Sequence, residues 1–155
     1  MKKVSGTLKI SLAQYRDLEA FAMFASDLAP ASRQQLTRGA RLTELLKQKQ
    51  YTPYPVEEQV ISIWAGTKGK RDKIELGDVL RFERELIDHL RSSTSVLDDI
   101  ASTGKLENDT EEALEKAVDD FVSTFLEGQH ALHTDAPIEG GGEAQVEQEQ
   151  IVAKK

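Results

Sequence analysis

The sequence predicts an all-α fold: a bundle of about six helices over residues 1–127, followed by a flexible acidic and glycine-rich C-terminal tail over 128–155. Three observations carry this. Apolar residues recur at spacings of three and four in six separate segments, and no segment alternates polar and apolar residues as a half-buried strand would. Residues that start and stop helices (Pro30, Pro55, Gly66, Gly104, Asn108 and Gly128) fall between those segments.

The first helical pattern covers about 12–24, with Ser11 as its cap and Leu12, Tyr15, Leu18, Phe21 and Ala22 on its apolar face. "SDLAPAS" interrupts it at 26–32. Pro30 then opens a second helix, because its missing N–H costs nothing in a first turn. Leu36, Ala40, Thr43 and Leu46 form the stripe, with Leu42 and Leu45 beside it. That helix should fail near Gln48, since Pro53 drives Thr52 towards an extended conformation. Pro55 opens the third helix, Glu57 and Glu58 suit the positive end of its dipole, and Gly66 should end it. Its run Val60, Ile61, Ile63, Trp64 also reads as a buried strand, but the acidic opening favours a helix. The fourth helix spans about 77–91, with Val79, Phe82, Leu86, Ile87 and Leu90 on one face. A short fifth runs over roughly 96–103 and stops at Gly104. In the sixth, Asn108 and Glu111 resemble a capping box ahead of the stripe Leu114, Ala117, Val118, Phe121, Val122, Phe125. Gly128 is expected to end it.

Composition narrows the function. The 155 residues amount to about one domain, with no cysteine and hence no disulfide, thiolate nucleophile or cysteine-bound metal. No apolar run approaches the roughly 20 residues of a membrane-spanning helix. Twenty basic against 27 acidic side chains give a net charge of −7, a surface that repels phosphate backbones unless its cations cluster. The one dense basic stretch, Lys68, Lys70, Arg71 and Lys73, reads as a solvated loop. It has no aromatic platform, so nucleic acid is not expected as a partner.

Catalytic and metal motifs are missing too. "AGTKGKRD" places Gly66 and Gly69 too close together for a phosphate-binding loop, and Arg71 rather than Ser or Thr follows Lys70. His130 and His133 are too few for a metal site. Asp88 and His89 are helix neighbours that do not face each other, and the acidic pairs Asp98–Asp99 and Asp119–Asp120 read as solvated. No catalytic residue and no metal ligand is assigned. From the residues alone, the reading is a helical interaction domain.

Three stretches say more: "MKKVSGTLKISLAQYRDLEAFAMFASDL", "RGARLTELLKQKQYTPYPVEEQVISIWAGTKG" and "VLRFERELIDHLR". Together they resemble the C-terminal helical domain of the α subunit of rotary F-type ATP synthase, in order, from Met1 to about Phe125. The β subunit shares the fold but typically differs at these stretches. The resemblance implies a domain without the phosphate loop, the magnesium ligands or the arginine that the full subunit contributes to catalysis. It therefore implies no enzyme activity and no cofactor for this piece alone, and ATP or ADP with magnesium for the full-length subunit. Implied partners are the β and γ subunits of the α3β3 head, in a proton-translocating complex peripheral to the cytoplasmic face of a bacterial membrane.

By the same resemblance, Gln48 and Gln50 approach the adenine end of the nucleotide in the non-catalytic regulatory site. A primary amide offers both donor and acceptor to a base edge; from the residues alone the two glutamines read as solvating a helix end, and the resemblance reverses that reading for the full subunit. In the family, the turn Asp27, Leu28, Ala29, Pro30 faces the rotating central shaft. With Asp27 its only acid, a smooth steric bearing is expected in place of an electrostatic grip. The tail's role stays open between solvation and restraint of ATP hydrolysis. The other reading of the chain is a free-standing helical adaptor.

Overall fold

The computed structural model describes residues 1–23, 28–48 and 50–134, with Lys3 and the last five residues described by backbone alone. Six helices follow one another: α1 (Lys2–Glu19), α2 (Pro30–Leu45), α3 (Val56–Thr67), α4 (Val79–Ser93), α5 (Val96–Thr103) and α6 (Asn108–Thr134). A single tight turn, Leu76–Asp78, leads into α4. The described residues contain no strand, as the spacing predicts. Most of the expected tail, 135–155, lies outside them.

The core is one cluster built from α3, α4, α5 and α6, joined by Val4 of α1. Ile61, Ala65, Phe82, Leu86, Leu90, Leu114 and Val118 are completely buried, and Trp64 nearly so. Phe82 is the aromatic centre, with the Phe125 ring edge-on at 5.1 Å and the half-buried Phe121 tilted at 5.4 Å. The apolar run of α3 is helical because it is surrounded: α1 and α2 pack on it from one side and α5 from another. Continuous burial, and not β pairing, explains why its stripe is so wide.

Five boundaries differ from the sequence reading. α1 starts at Lys2, so Ser11 lies inside it and caps nothing; Val4 and Leu8, one turn apart, are its buried residues. Phe21, expected on the apolar face, is 54% exposed beyond the helix end. Gly66 does not stop α3. It is buried within the helix, where a Cβ would come within 2.6 Å of Leu42 Cδ2, so its lack of a side chain admits α2. At the start of α6 the Glu111 N–H donates to the Glu107 carbonyl at 2.8 Å, which puts Asn108 in the first turn instead of at the cap. At the other end α6 runs through Gly128 to Thr134. Just past the glycine, Gln129 Nε2 donates to Asp78 Oδ2 at 2.6 Å, a contact from this part of α6 to the turn before α4. Gly104, by contrast, ends α5 as expected, in the left-handed conformation at φ +67°.

Candidate functional site

The α2–α3 junction carries the residues of interest. α2 ends at Leu45, α3 begins at Val56, and Pro55 precedes it as the N-cap. Between them Tyr51 takes φ +60°, alone among the described non-glycine residues in having positive φ. The Thr52 hydroxyl reaches back to the Gln50 carbonyl at 3.4 Å, and Gln59 Nε2 donates to the Tyr54 carbonyl at 2.7 Å, pinning the far end of the junction to α3.

Under this junction lies a cleft of about 530 Å³ between the end of α2, α3 and α4. Leu45, Leu46, Ile63, Leu80 and Ile87 supply apolar walls, and Gln48, Thr52 and Tyr54 line it from the junction. Its size and mixed lining suit a small molecule or a short protein segment. Gln48 is therefore at the cleft. Gln50 is exposed on the turn and is not among the lining residues. Neither amide has a hydrogen-bond partner among the described residues, so both keep donor and acceptor available. Lys49, between them, lies outside the described residues.

One side of the cleft is polar, and the sequence did not single it out. Glu83 lines it and pairs with Arg71, which is 1% exposed. Ser62 Oγ, with one proton to donate, lies within hydrogen-bond reach of both the same carboxylate and the Glu58 carbonyl, the latter at 2.8 Å. Arg71 Nη1 donates to the Ser62 carbonyl at 3.3 Å, its guanidinium lies 5.6 Å from the Phe82 ring, and its Nε has no partner. Burial pushes the Glu83 carboxyl above its ordinary value, opposed by the attraction of Arg71 and helped by the nearby Glu58 charge. Burial likewise lowers Arg71, against the pull of Glu83. Arg91 closes the edge by pairing with Glu58 and Asp88.

The expected solvated basic loop is thus corrected. Of the four, Lys73 alone is exposed with no partner among the described residues. Arg71 is core. Lys70 reaches α6, with Nζ 2.7 Å from Asp119 and 3.0 Å from Glu115. Lys68 lies 3.3 Å from Glu111, whose carboxylate also accepts from Trp64 Nε1 at 2.9 Å. On the other side of the loop, Arg38 of α2 makes a two-point contact with Asp72, at 2.6 and 3.2 Å, and Arg41 Nε donates to the Ile74 carbonyl at 2.6 Å. The stretch that looked like a phosphate loop is a polar hub tying α2 to α6. Asp119 accordingly has a cation, whereas Asp98 faces solvent and Asp88 pairs with Arg91. The side chains of His130 and His133 lie outside the described residues.

At the opposite end of α2, Ala29 is the N-cap and Pro30 the first helical residue, while Leu28 is half-buried. Asp27 lies outside the described residues. Exposed Phe21 and Met23, just before the turn, give this tip an apolar surface.

The family model described as ATP synthase alpha/beta chain, C terminal domain, matches residues 1–121. The chain belongs to this family. Among its relatives, the ATP synthase subunit alpha of Beutenbergia cavernae is 60% identical over 162 aligned residues, which cover all of this chain and 29% of the relative. That of Renibacterium salmoninarum is 58% identical with the same coverage. That of Leifsonia xyli subsp. xyli is 64% identical over 129 residues, 83% of this chain and 24% of the relative. This chain thus spans less than a third of the length of the relatives it matches. Within the family domain, the cleft-lining Gln48 and its neighbour Gln50 sit at the only connection between α2 and α3. No helix among the described residues is long and apolar enough to cross a membrane.

Proposed function

We propose that the chain serves as the C-terminal domain of an ATP synthase α subunit, where it helps form a non-catalytic nucleotide site and the stator surface around a rotating central stalk. The observation that carries this is identity of 58–60% over the whole chain to proteins named ATP synthase subunit alpha. In this reading the complex makes ATP from proton flow, with the β and γ subunits as partners in the α3β3 head. It is peripheral to the cytoplasmic face of a bacterial membrane. ATP or ADP with magnesium belongs to the full subunit, and this domain alone performs no hydrolysis.

The residues present fit one end of such a ligand. Gln48 and Gln50 hold unpaired amides on a connection stiffened by Pro53 and Pro55, and an amide can donate to and accept from an adenine edge at once. Phosphate and magnesium would be held elsewhere in the subunit; when bound, they supply the charge that anchors the nucleotide. The tip before α2, with Phe21, Met23 and Leu28 as its described apolar residues, suits a surface that another element slides past. We place the packed unit within 1–127, since Phe125 is the last residue of α6 among those described to be buried, and assign 128–155 to the tail, whose first residues continue α6.

A chimera tests the whole reading. This chain replaces the matching C-terminal segment of the Beutenbergia cavernae α subunit, and proton-driven ATP synthesis is measured in membrane vesicles. The expected result is assembly with synthesis retained. An assembled head with no synthesis, or a chain that never joins a head, would favour the free-standing adaptor.

A further inference from the structure

Tyr51 combines three properties that its own chain does not explain. It stands at φ +60°, a conformation that L side chains adopt at a cost and that glycine or asparagine fills more readily. Its side chain is 92% exposed, the most exposed of the large apolar and aromatic residues described. It makes no hydrogen bond or ring contact with any described residue. Strain of this kind persists only where something over-determines it, and no described residue holds the ring. What is held is the backbone: the Thr52 hydroxyl bonds the Gln50 carbonyl at 3.4 Å, and Pro53 restricts the residue before it. The turn therefore carries the ring on a backbone held in one place, next to Gln50 and three residues from Gln48.

We propose that Tyr51 is a base-stacking residue: its ring covers one face of the purine whose edge Gln48 and Gln50 read. The inference rests on the nucleotide-site reading above and adds to it a different kind of contact. Amides recognise the pattern of donors and acceptors on a base and so distinguish purines. An aromatic ring meets the π-face that every base has, and so adds affinity without choosing among them. A backbone already fixed in the unbound turn loses little freedom on binding, which leaves only the side-chain torsions of the ring to be ordered by stacking. The chain uses tyrosine at a left-handed position because the ring is needed there, and the turn alone would be better served by glycine or asparagine.

The two roles separate experimentally in the full-length subunit, assembled in a head whose catalytic sites are blocked. ATP, GTP and inorganic tripolyphosphate are titrated against wild type and three variants. Tyr51→Asn keeps a residue tolerant of the left-handed turn and removes the ring, whereas Tyr51→Phe keeps the ring and removes only the hydroxyl. The third variant is the double substitution Gln48→Ala, Gln50→Ala. Tyr51→Asn should weaken ATP and GTP alike by about tenfold, about 1.4 kcal/mol, and leave tripolyphosphate unchanged, while Tyr51→Phe binds all three as wild type does. If Tyr51→Asn leaves ATP binding unchanged while the glutamine variant weakens it, stacking is refuted and the nucleotide reading stands. If neither variant alters ATP binding, both ideas fall. Equal loss of tripolyphosphate binding in Tyr51→Asn would assign the defect to a distorted turn and overturn the stacking role.

Discussion

Replacing Glu83 with leucine should be among the most damaging single changes in the domain. Glu83 is 13% exposed at its side chain and, among the described residues, is the only carboxylate paired with Arg71, whose side chain is 2% exposed and whose Nε has no described partner. Leucine fills nearly the same volume, so little of the loss comes from a cavity. What remains is a buried guanidinium with a backbone carbonyl for company, and breaking such a pair from one side costs about 3–5 kcal/mol. Against the total stability of about 5–15 kcal/mol usual for a domain, this is a large fraction. In a domain of this size it corresponds to a fall in Tm of roughly 10–20 °C. The assay is urea unfolding of the purified chain followed by helical circular dichroism, for Glu83→Leu and for Arg71→Met with Glu83→Leu together. Removing both charges should recover most of the loss, because neither is then left unpaired. A loss below about 1 kcal/mol for the single variant, or a double variant no better than the single, would refute the reasoning and place Arg71 in contact with water.

Gly39→Ala should separate α1 from α2: a Cβ there would lie 2.3 Å from Tyr15 Cβ and Cγ, atoms too close to the α1 backbone to swing away. A loss of about 1–3 kcal/mol, measured by the same unfolding assay, is expected, and an unchanged midpoint would show that the two helices are not in close contact. Lys70 gives a pH signature. Burial opposes its charge, but hydrogen bonds to Asp119 and Glu115 outweigh that and hold the ammonium above its ordinary 10.5. A folded value above the unfolded one means that its contribution is fully present below 10.5 and is lost as pH rises through the folded value. The stability gap between wild type and Lys70→Met should therefore stay constant from neutral pH upward and close only above that range; a gap that closed earlier would contradict the pairing.

Periodicity made the helices legible, and long-range partners stayed hidden. Leu114, Val118 and Phe125 announce the inner face of α6 by spacing alone. The first turns of α1 were missed because Val4 and Leu8 sit among Gly6, Ser5 and Thr7, poor helix formers that α2 and α3 nonetheless fix by packing. Gly66 looked like a stop for the reason that makes glycine ambiguous: a helix terminus and a close helix contact both call for a missing side chain. Arg71 offered no signal. Its loop reads as a run of four cations, and the acids that pair with three of them, Glu83, Glu111, Glu115 and Asp119, lie 12 to 49 residues away on other helices. The glutamines at 48 and 50 were visible only through family resemblance, since an exposed amide after a helix has no pattern of its own. The strain at Tyr51 was not visible at all, because φ is a property of the folded junction.

Gln48 and Gln50 are the decisive residues in the full subunit. With catalytic sites blocked, ATP and GTP are titrated against heads carrying either wild-type chain or the double substitution Gln48→Ala, Gln50→Ala. Loss of two neutral hydrogen bonds, each worth about 0.5–1.5 kcal/mol, should weaken ATP binding by roughly one to two orders of magnitude. It should also narrow the difference between ATP and GTP, with magnesium dependence intact and the melting temperature of the head unmoved. ATP affinity and base preference that match wild type would contradict the account and leave both glutamines as solvated residues at a helix end.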